Sequence, residues 1–290
     1  LRLPSGRNAV DLAIHYELLR CTDSRCAARV EMIFRDPDLE LVPWPEPAPR
    51  NLTPGFYLGG DAMSVVRITY HSHACLGIDA GGTHLLIDPF LTGNPLADVS
   101  AEQVAADYVL ISHGHGDHVG DTVAIAQRTG AMTISNFEIQ GWLQAQGVES
   151  SHPLHIGGGF DFPFGRVKLT IAHHGSMLPD GSYGGNPAGF LLNLEGKKIY
   201  HACDTGLFYD MKLIGEEGLD LAILPIGDNF TMGPADALRA VKLLVPKVVI
   251  PIHYDTFDVI KQDPHAFASQ VEAETSSKCL VLKAGETYDL

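Results

Sequence analysis

The sequence predicts an α/β protein, and three observations carry that prediction. Short apolar runs at 84–87, 108–111, 167–172, 198–203 and 247–252 read as buried strands. Helical stretches stand between them, at 122–129, 136–146 and from Pro234 to about Leu244. Each of the five runs also delivers a His or an Asp at or just past its C-terminal end: Asp88, His113, His173-His174, Asp204 and His253. Strand ends and their loops are where layered α/β proteins collect ligands and catalytic groups.

Along the chain, residues 1–62 stand apart. They hold seven of the eleven arginines and none of the nine lysines, and contain the Pro-rich stretch 43–49, which favours extended linker structure. Within them 8–19 is expected to form a short amphipathic helix, and Cys21 and Cys26 read as two unrelated thiols, since no second pair stands nearby. From Met63 onward a strand series begins with 65–70, so the expected division is an N-terminal extension over 1–62, fused, accessory or artefactual, and one domain over 63–290. The run at 108–111 leads into His113-Gly114-His115-Gly116-Asp117-His118, three imidazoles and a carboxylate in the pattern H-x-H-x-D-H. So many titratable groups on one strand end build a poor core but a good site for a borderline-soft divalent metal, since imidazole and carboxylate are usual zinc ligands. A merely solvated His-rich loop would leave the recurrences downstream unexplained, whereas one shared metal site accounts for all five strand ends. The helix at 122–129 follows the motif directly. Pro234 opens its helix at a position where the missing N–H costs nothing. Residues 219–224 read as a further strand, and the Gly-rich loop 227–234 after it, with Asn229, Phe230, Thr231 and Met232, reads as a wall of a pocket.

Composition sets the outer limits. At 290 residues, with 45% hydrophobic content and 30 glycines, the chain can bury a full core. The net charge of −15 and the lack of a Lys/Arg stripe remove the electrostatic basis for a broad nucleic-acid footprint. Five scattered cysteines fit a reducing compartment better than a disulfide framework. No apolar run reaches the length of a membrane span, and the first residues lack the apolar core of a signal peptide, so the expectation is a cytoplasmic protein without a membrane partner. A homo-oligomer is compatible with this sequence.

The order H-x-H-x-D-H, then His, Asp and His, resembles the metallo-β-lactamase fold superfamily. Within it the chain is similar to the metal-dependent hydrolases (UPF0173-type) related to the ascorbate-lactonase branch. The matching stretches are 87–95, 112–121, Asp204-Thr205, 224–234 and 251–254, and the resemblance covers roughly Met63 to Leu290. It implies an αββα four-layer sandwich, which composition alone would have left as α/β; no repeat is visible in the letters of the two halves. It also implies two divalent metal ions, Zn2+ first and Mn2+ or Fe as alternatives.

Spacing and resemblance together distribute the ligands. His113, His115 and His174 would hold one ion, Asp117, His118 and His253 the second, with Asp204 bridging. Two such ions can hold a hydroxide between them and lower its pKa toward neutrality. Asp117 and His118 are the catalytic candidates, Asp117 as the group that orients the nucleophile. Strand parity cannot choose between His173 and His174; the family motif places its histidine immediately before Gly175-Ser176, which selects His174 and leaves His173 packed beside the site. His73 matches a histidine of the family and is expected close to the metals, in an auxiliary or a structural role. Asp88 is expected to accept a proton from a ligand imidazole, as metal-bound histidines usually require. His201 reads as a hydrogen-bonded core residue, and His152, His155 and His265 as surface or loop residues. Relatives carry Gly before the bridging aspartate where this chain has Cys203, either a buried filler or a thiol able to ligate metal or be oxidised. The stretch 180–187 is expected to be a flexible flap, and Tyr183 and Tyr254 are candidate donors to an oxyanion.

The function expected from these residues is a dinuclear metal-dependent hydrolase cleaving an ester, lactone or related acyl bond in a small molecule. A phosphodiesterase using the same centre is the alternative within enzymes; a non-catalytic metal-binding regulatory protein is the alternative outside them.

Overall fold

The computed structural model describes residues 13–16, 30–33 and 65–290. In the N-terminal stretch, β1 (Ala13–Tyr16) pairs antiparallel with β2 (Val30–Ile33). The helix expected over 8–19 is corrected there: 13–16 is extended, its backbone bonded to 30–33, and Ile14 and Tyr16 are types that favour strands. The rest of that helix, Cys21, Cys26 and the Pro-rich stretch lie outside the described residues.

From residue 65 the chain builds two seven-stranded sheets. The first half contributes β3 (Val66–Tyr70), β4 (Leu76–Ala80), β5 (Thr83–Ile87), β6 (Tyr108–Leu110), α1 (Gly116–Val119), α2 (Thr122–Thr129), β7 (Met132–Asn136), α3 (Phe137–Ala145) and β8 (Ser151–Leu154). The second contributes β9 (Gly159–Phe162), β10 (Gly165–Ile171), β11 (Ala188–Leu194), β12 (Lys197–His201), α4 (Met211–Gly215), β13 (Leu221–Pro225), α5 (Pro234–Leu244), β14 (Val248–Ile252), α6 (Pro264–Glu274) and β15 (Lys278–Cys279). A last strand, β16 (Thr287–Asp289), returns to the first sheet beside β3, giving the orders β16-β3-β4-β5-β6-β7-β8 and β15-β14-β13-β12-β11-β10-β9. Each half begins with antiparallel pairs and ends with parallel ones. The two halves thus repeat one topology that their letters do not reveal.

Side-chain alternation sorts the strands into four layers. Ile68, Ile78, Ile87, Leu110 and Ile134 of the first sheet meet Val167, Leu169, Phe190, Ile199, Ile223 and Ile250 of the second in one inter-sheet core. On the outer face of the second sheet, Tyr200, Ala222, Leu224 and Val249 pack under Met211, Val241, Phe267 and Val271 of α4, α5 and α6. On the outer face of the first, Leu86, Val109 and Ile111 pack under Ile125, Ile139 and Leu143 of α2 and α3. The result is the expected αββα sandwich. Its central parallel strands are buried on both faces, which is why they stood out as unbroken apolar runs.

Helix ends follow their local chemistry. The helix expected at 136–146 starts at Phe137 because Asn136 is its cap, its side chain accepting from Ile139 N at 2.9 Å. α6 was not expected, although Asp263 caps it by accepting from the N–H groups of His265 and Ala266, with Pro264 behind. Only Phe267 and Val271 of α6 are buried, too few for a visible period. Among the described residues no helix is long and apolar enough to cross a membrane.

Candidate metal centre

Strand direction explains where the chemistry gathers. β5 and β6 run parallel, as do β12, β13 and β14, and two antiparallel steps restore the same direction in β3 and in β10. The C-terminal ends of β3, β5 and β6, and likewise those of β10, β12 and β14, therefore fall at one edge of each sheet. His73, Asp88, the H-x-H-x-D-H loop, His174, Asp204 and His253 all follow these ends.

The loop after β6 is built on Asp88. This buried carboxylate accepts from Ser112 N (2.8 Å) and Ser112 Oγ (2.6 Å), and from His118 Nδ1 at 2.8 Å. Because the single proton of Ser112 Oγ goes to Asp88, the hydroxyl oxygen accepts from His113 Nδ1 at 2.9 Å. These bonds turn the Nε2 of both rings toward the centre and leave that of His113 unprotonated. Asp88 has the proton-accepting role expected of it. The motif is only half extended: His115 closes the extended part, and Asp117 and His118 lie on the single turn of α1.

All seven sequence-predicted side chains converge. His115 Nδ1 lies 3.0 Å from His113 Nε2 and 3.3 Å from His174 Nε2, and these three residues form one group able to hold an ion. Asp117, His118 and His253, joined by His73, form a second such group. Asp204 Oδ2 reaches both, at 3.0 Å from His253 Nε2, 3.3 Å from His118 Nε2 and 3.5 Å from His174 Nε2. A third grouping, Asp88 with His113 and His118, is the Nδ1 side of the same two imidazoles and is already spent on hydrogen bonds.

The donor set fits a divalent metal. His118 Nε2, His253 Nε2 and Asp204 Oδ1 are buried and make no hydrogen bond, although Asp204 Oδ2 stands beside both rings. Orphaned interior polar atoms of this kind cost roughly 1–3 kcal/mol each; a cation among them removes that cost. Electrostatics favour the ligating forms. Burial pushes His113 well below the ordinary imidazole range, lowers His115 and His174, and takes His73 down to about 4. Burial opposes ionisation of Asp204 and Asp117, yet His118 and His253 hold the first well below the carboxylate range, and His73 and His118 hold the second below it. His118 is the exception: burial would lower it, but Asp204 and Asp88 keep it well above an ordinary histidine.

Other residues sort differently from expectation. His174, not His173, faces the centre; His173 is exposed with its ring 5.1 Å from that of Phe208, so its expected packed place beside the site is corrected. His201 is buried, its Nδ1 accepting from Cys203 N at 3.0 Å. His155 and His265 are exposed, whereas His152 is half-covered by Phe160 and Phe162 on β8. Cys203 takes the left-handed φ of +52° that suits glycine, and its Sγ turns to His201 Nδ1, outside every group able to hold an ion. Burial pushes its thiol well above the usual range. Iodoacetamide at neutral pH is therefore expected to leave Cys75, Cys203 and Cys279, all buried, unlabelled in the folded protein; peptide mapping checks this, and a labelled Cys203 would show an open site.

The mouth of the centre was the part least visible beforehand. A cavity of about 210 Å3 is lined by His115, Asp117, His174, Asp204, Phe230, His253 and Phe257. Phe230 comes from the loop expected to form a wall; Phe257 was missed because it follows β14 by five residues in an unpatterned stretch. Tyr254 turns instead into the core beneath α5 and α6, and Tyr183 is 67% exposed and absent from the lining, so neither stands at the cavity as an oxyanion donor. The expected flap is a pinned hairpin: Ser176 Oγ accepts from Gly114 N (3.0 Å), Trp142 Nε1 donates to Asp180 Oδ2 (2.9 Å), and Asn136 Nδ2 donates to Gly184 O (2.7 Å). Gly227 holds the opposite side, where an added Cβ would overlap the carbonyl oxygen of His253. Gly227→Ala is expected to displace His253, costing about 1–3 kcal/mol and lowering metal content, as thermal melting and elemental mass spectrometry would report.

Comparison with known proteins gives consistent findings. The Beta-lactamase superfamily domain matches residues 67–253. The chain is 52% identical over 231 residues to the UPF0173 metal-dependent hydrolase of Shouchella clausii, covering 78% of this chain and 100% of that protein. It is likewise 52% identical over 234 residues to that of Heliobacterium modesticaldum, covering 78% and 98%. Among solved structures, Igni18, a metallo hydrolase from the archaeon Ignicoccus hospitalis, aligns with a TM-score of 0.72 at 38% identity, covering 78% of this chain and 99% of that one.

Proposed function

This chain belongs to the metallo-β-lactamase superfamily and, within it, to the UPF0173 metal-dependent hydrolases, and we propose that it cleaves an ester, lactone or related acyl bond in an uncharged small molecule at a centre of two divalent ions. The proposal assigns this chemistry to residues 63–290, with 1–62 as an extension. One observation carries the two-ion reading: a single oxygen, Asp204 Oδ2, lies within 3.5 Å of imidazoles from both donor groups. His113, His115 and His174 would hold one ion, Asp117, His118 and His253 the other, and Asp204 both. Zn2+ suits these donors, as do Mn2+ and Fe. Bound there, the ions supply Lewis acidity and lower the pKa of water.

The chain's own groups do the rest. Asp117, kept ionised by His73 and His118 and partly open to the cavity, accepts a hydrogen bond from the attacking water and orients it. Phe230, 57% exposed, and Phe257, 38% exposed, offer an apolar wall to the body of the substrate. Among the described residues no Lys or Arg lines the cavity; Arg166, Lys168 and Lys198 line a separate hollow. An anionic phosphodiester would find no cationic side chain among these lining residues, which favours the acyl reading.

The test is turnover of chromogenic esters, lactones and a phosphodiester by metal-loaded protein, with and without chelator. Ester or lactone hydrolysis abolished by chelator is expected. Turnover of the phosphodiester alone would replace the acyl reading, and uniform inactivity of protein holding two ions would sink hydrolysis of these classes. Phe230→Ala is expected to raise KM for an aryl ester about tenfold, the loss of roughly 50 Å2 of apolar contact, while leaving an acetyl ester of a small alcohol nearly unchanged.

A further inference from the structure

We infer that His73 is a direct ligand of the ion held by Asp117, His118 and His253, which gives that position a donor set larger than tetrahedral zinc requires. The inference rests on the two-ion reading above.

His73 is held in place by more than packing. Ser72 and His73 both take positive φ, +83° and +57°, a conformation costing roughly 1–3 kcal/mol per non-glycine residue that persists only where its surroundings enforce it. The turn is closed by His71 N donating to Cys75 O (2.9 Å) and Cys75 N to Ser72 O (3.0 Å). His253 N in turn donates to His73 O at 2.8 Å, so the backbones of these two histidines are tied together. Their rings lie 4.0 Å apart, and His73 is 0% exposed.

The ring's orientation selects its ligating nitrogen. Nδ1 lies 3.0 Å from Thr256 Oγ1, whose own proton is directed to Tyr254 O at 3.4 Å. The threonine oxygen therefore accepts from His73 Nδ1, the outer hydrogen bond that a metal-bound histidine ordinarily makes. With an ion bound, Nε2 is then the ligating lone pair, 3.1 Å from Asp117 Oδ2 and within 4.8 Å of the donor atoms of His118 and His253. Without an ion the pair is held by a proton on Nε2 given to Asp117, which is how His73 helps keep that carboxyl ionised; an ion among these groups takes the place of that proton. A separation near 3 Å is natural for two neighbouring donors on one ion with bonds of about 2.0–2.2 Å. With Asp204 this position has five protein donors, His73, Asp117, His118, Asp204 and His253. Such a set suits an ion that accepts six ligands, Mn2+ or Fe2+, better than tetrahedral Zn2+. The other position, with three imidazoles and a share of Asp204, keeps the zinc-like count.

The experiment titrates metal-free full-length protein, His73→Ala, His73→Gln and Thr256→Val with Mn2+, followed by loss of the free-ion electron paramagnetic resonance signal. Co2+ titration, followed by visible absorption, reports coordination number. Wild type is expected to bind two ions. His73→Ala and His73→Gln are expected to keep one and bind the second more than 100-fold more weakly, with a stronger cobalt absorption at the second equivalent as its coordination number falls. Thr256→Val, which leaves the imidazole in place, is expected to weaken the second ion by roughly 10–100-fold, so the test stands even where a His73 variant does not fold. Unchanged affinity for both ions and an unchanged cobalt spectrum in the folded variants would overturn the inference and leave His73 as a hydrogen-bond partner of Asp117. Fewer than two ions in wild type would overturn the two-ion reading as well.

Discussion

His115→Ala is expected to lose bound metal and hydrolytic activity together. His115 Nδ1 stands between His113 Nε2 and His174 Nε2, so its loss leaves two imidazoles where three converged. Removal of an outer hydrogen-bond partner already weakens a metal site roughly 10–100-fold, and removal of a ligand itself is expected to exceed that. The fold should survive, because His115 is only half-buried at the cavity and lies outside all three hydrophobic cores. Elemental mass spectrometry and activity on the same sample make the check. His152→Ala, which changes a ring resting on Phe160 and Phe162, is the matched control and should retain both. A wild-type metal content in His115→Ala would refute its role as a ligand.

Asp88→Ala carries the largest expected cost in stability. Asp88 is fully buried and receives three hydrogen bonds, two from Ser112 and one from His118. Its removal strands the Ser112 N–H and takes from His118 one of the two carboxylates that hold its ring above the ordinary histidine range. Breaking a buried ionic pair from one side costs about 3–5 kcal/mol. His118 would also lose the hydrogen bond that turns its Nε2 toward the site, and Ser112 the acceptor that directs its hydroxyl away from His113, so metal binding should weaken by a further factor of roughly 10–100. Asp88→Asn keeps the shape and is expected to be milder in stability yet still weak in metal binding. Urea unfolding of the metal-free proteins measures the first effect and metal titration the second; an Asp88→Ala protein within 1 kcal/mol of wild type would show that other contacts hold the loop.

How much of this was legible beforehand depended on burial. The strands at 83–87, 108–110, 221–225 and 248–252 are covered on both faces and so read as apolar runs, and the residues ending them could be picked out by type. β8 and β9 at the sheet edges, with Pro153 and Gly159 and mixed exposure, left no such pattern. β4 alternates as a strand should, but over only five residues with Gly77 inside it. His73 could be matched to the family yet not given a role, because its place depends on the turn at 72–73 and on the direction that β3 shares with β5.

Read from the letters alone, the chain is α/β, with a cover of helices over 122–129, 136–146 and 234–244 and a His or Asp at five strand ends, all consequences of local periodicity and residue chemistry written in consecutive letters. The choice of the seven residues that converge, His174 over His173 among them, came with the family resemblance. Packing in three dimensions settles which nitrogen of each imidazole faces inward, sets Thr256 and Asp117 on either side of His73, brings Phe230 and Phe257 to the cavity and turns Tyr254 away into the core. Those outcomes depend on sheet order and on loops packed against one another across more than a hundred residues, where a hydrogen-bond partner such as Thr256 for His73 is chosen by proximity in space and carries no signal in spacing.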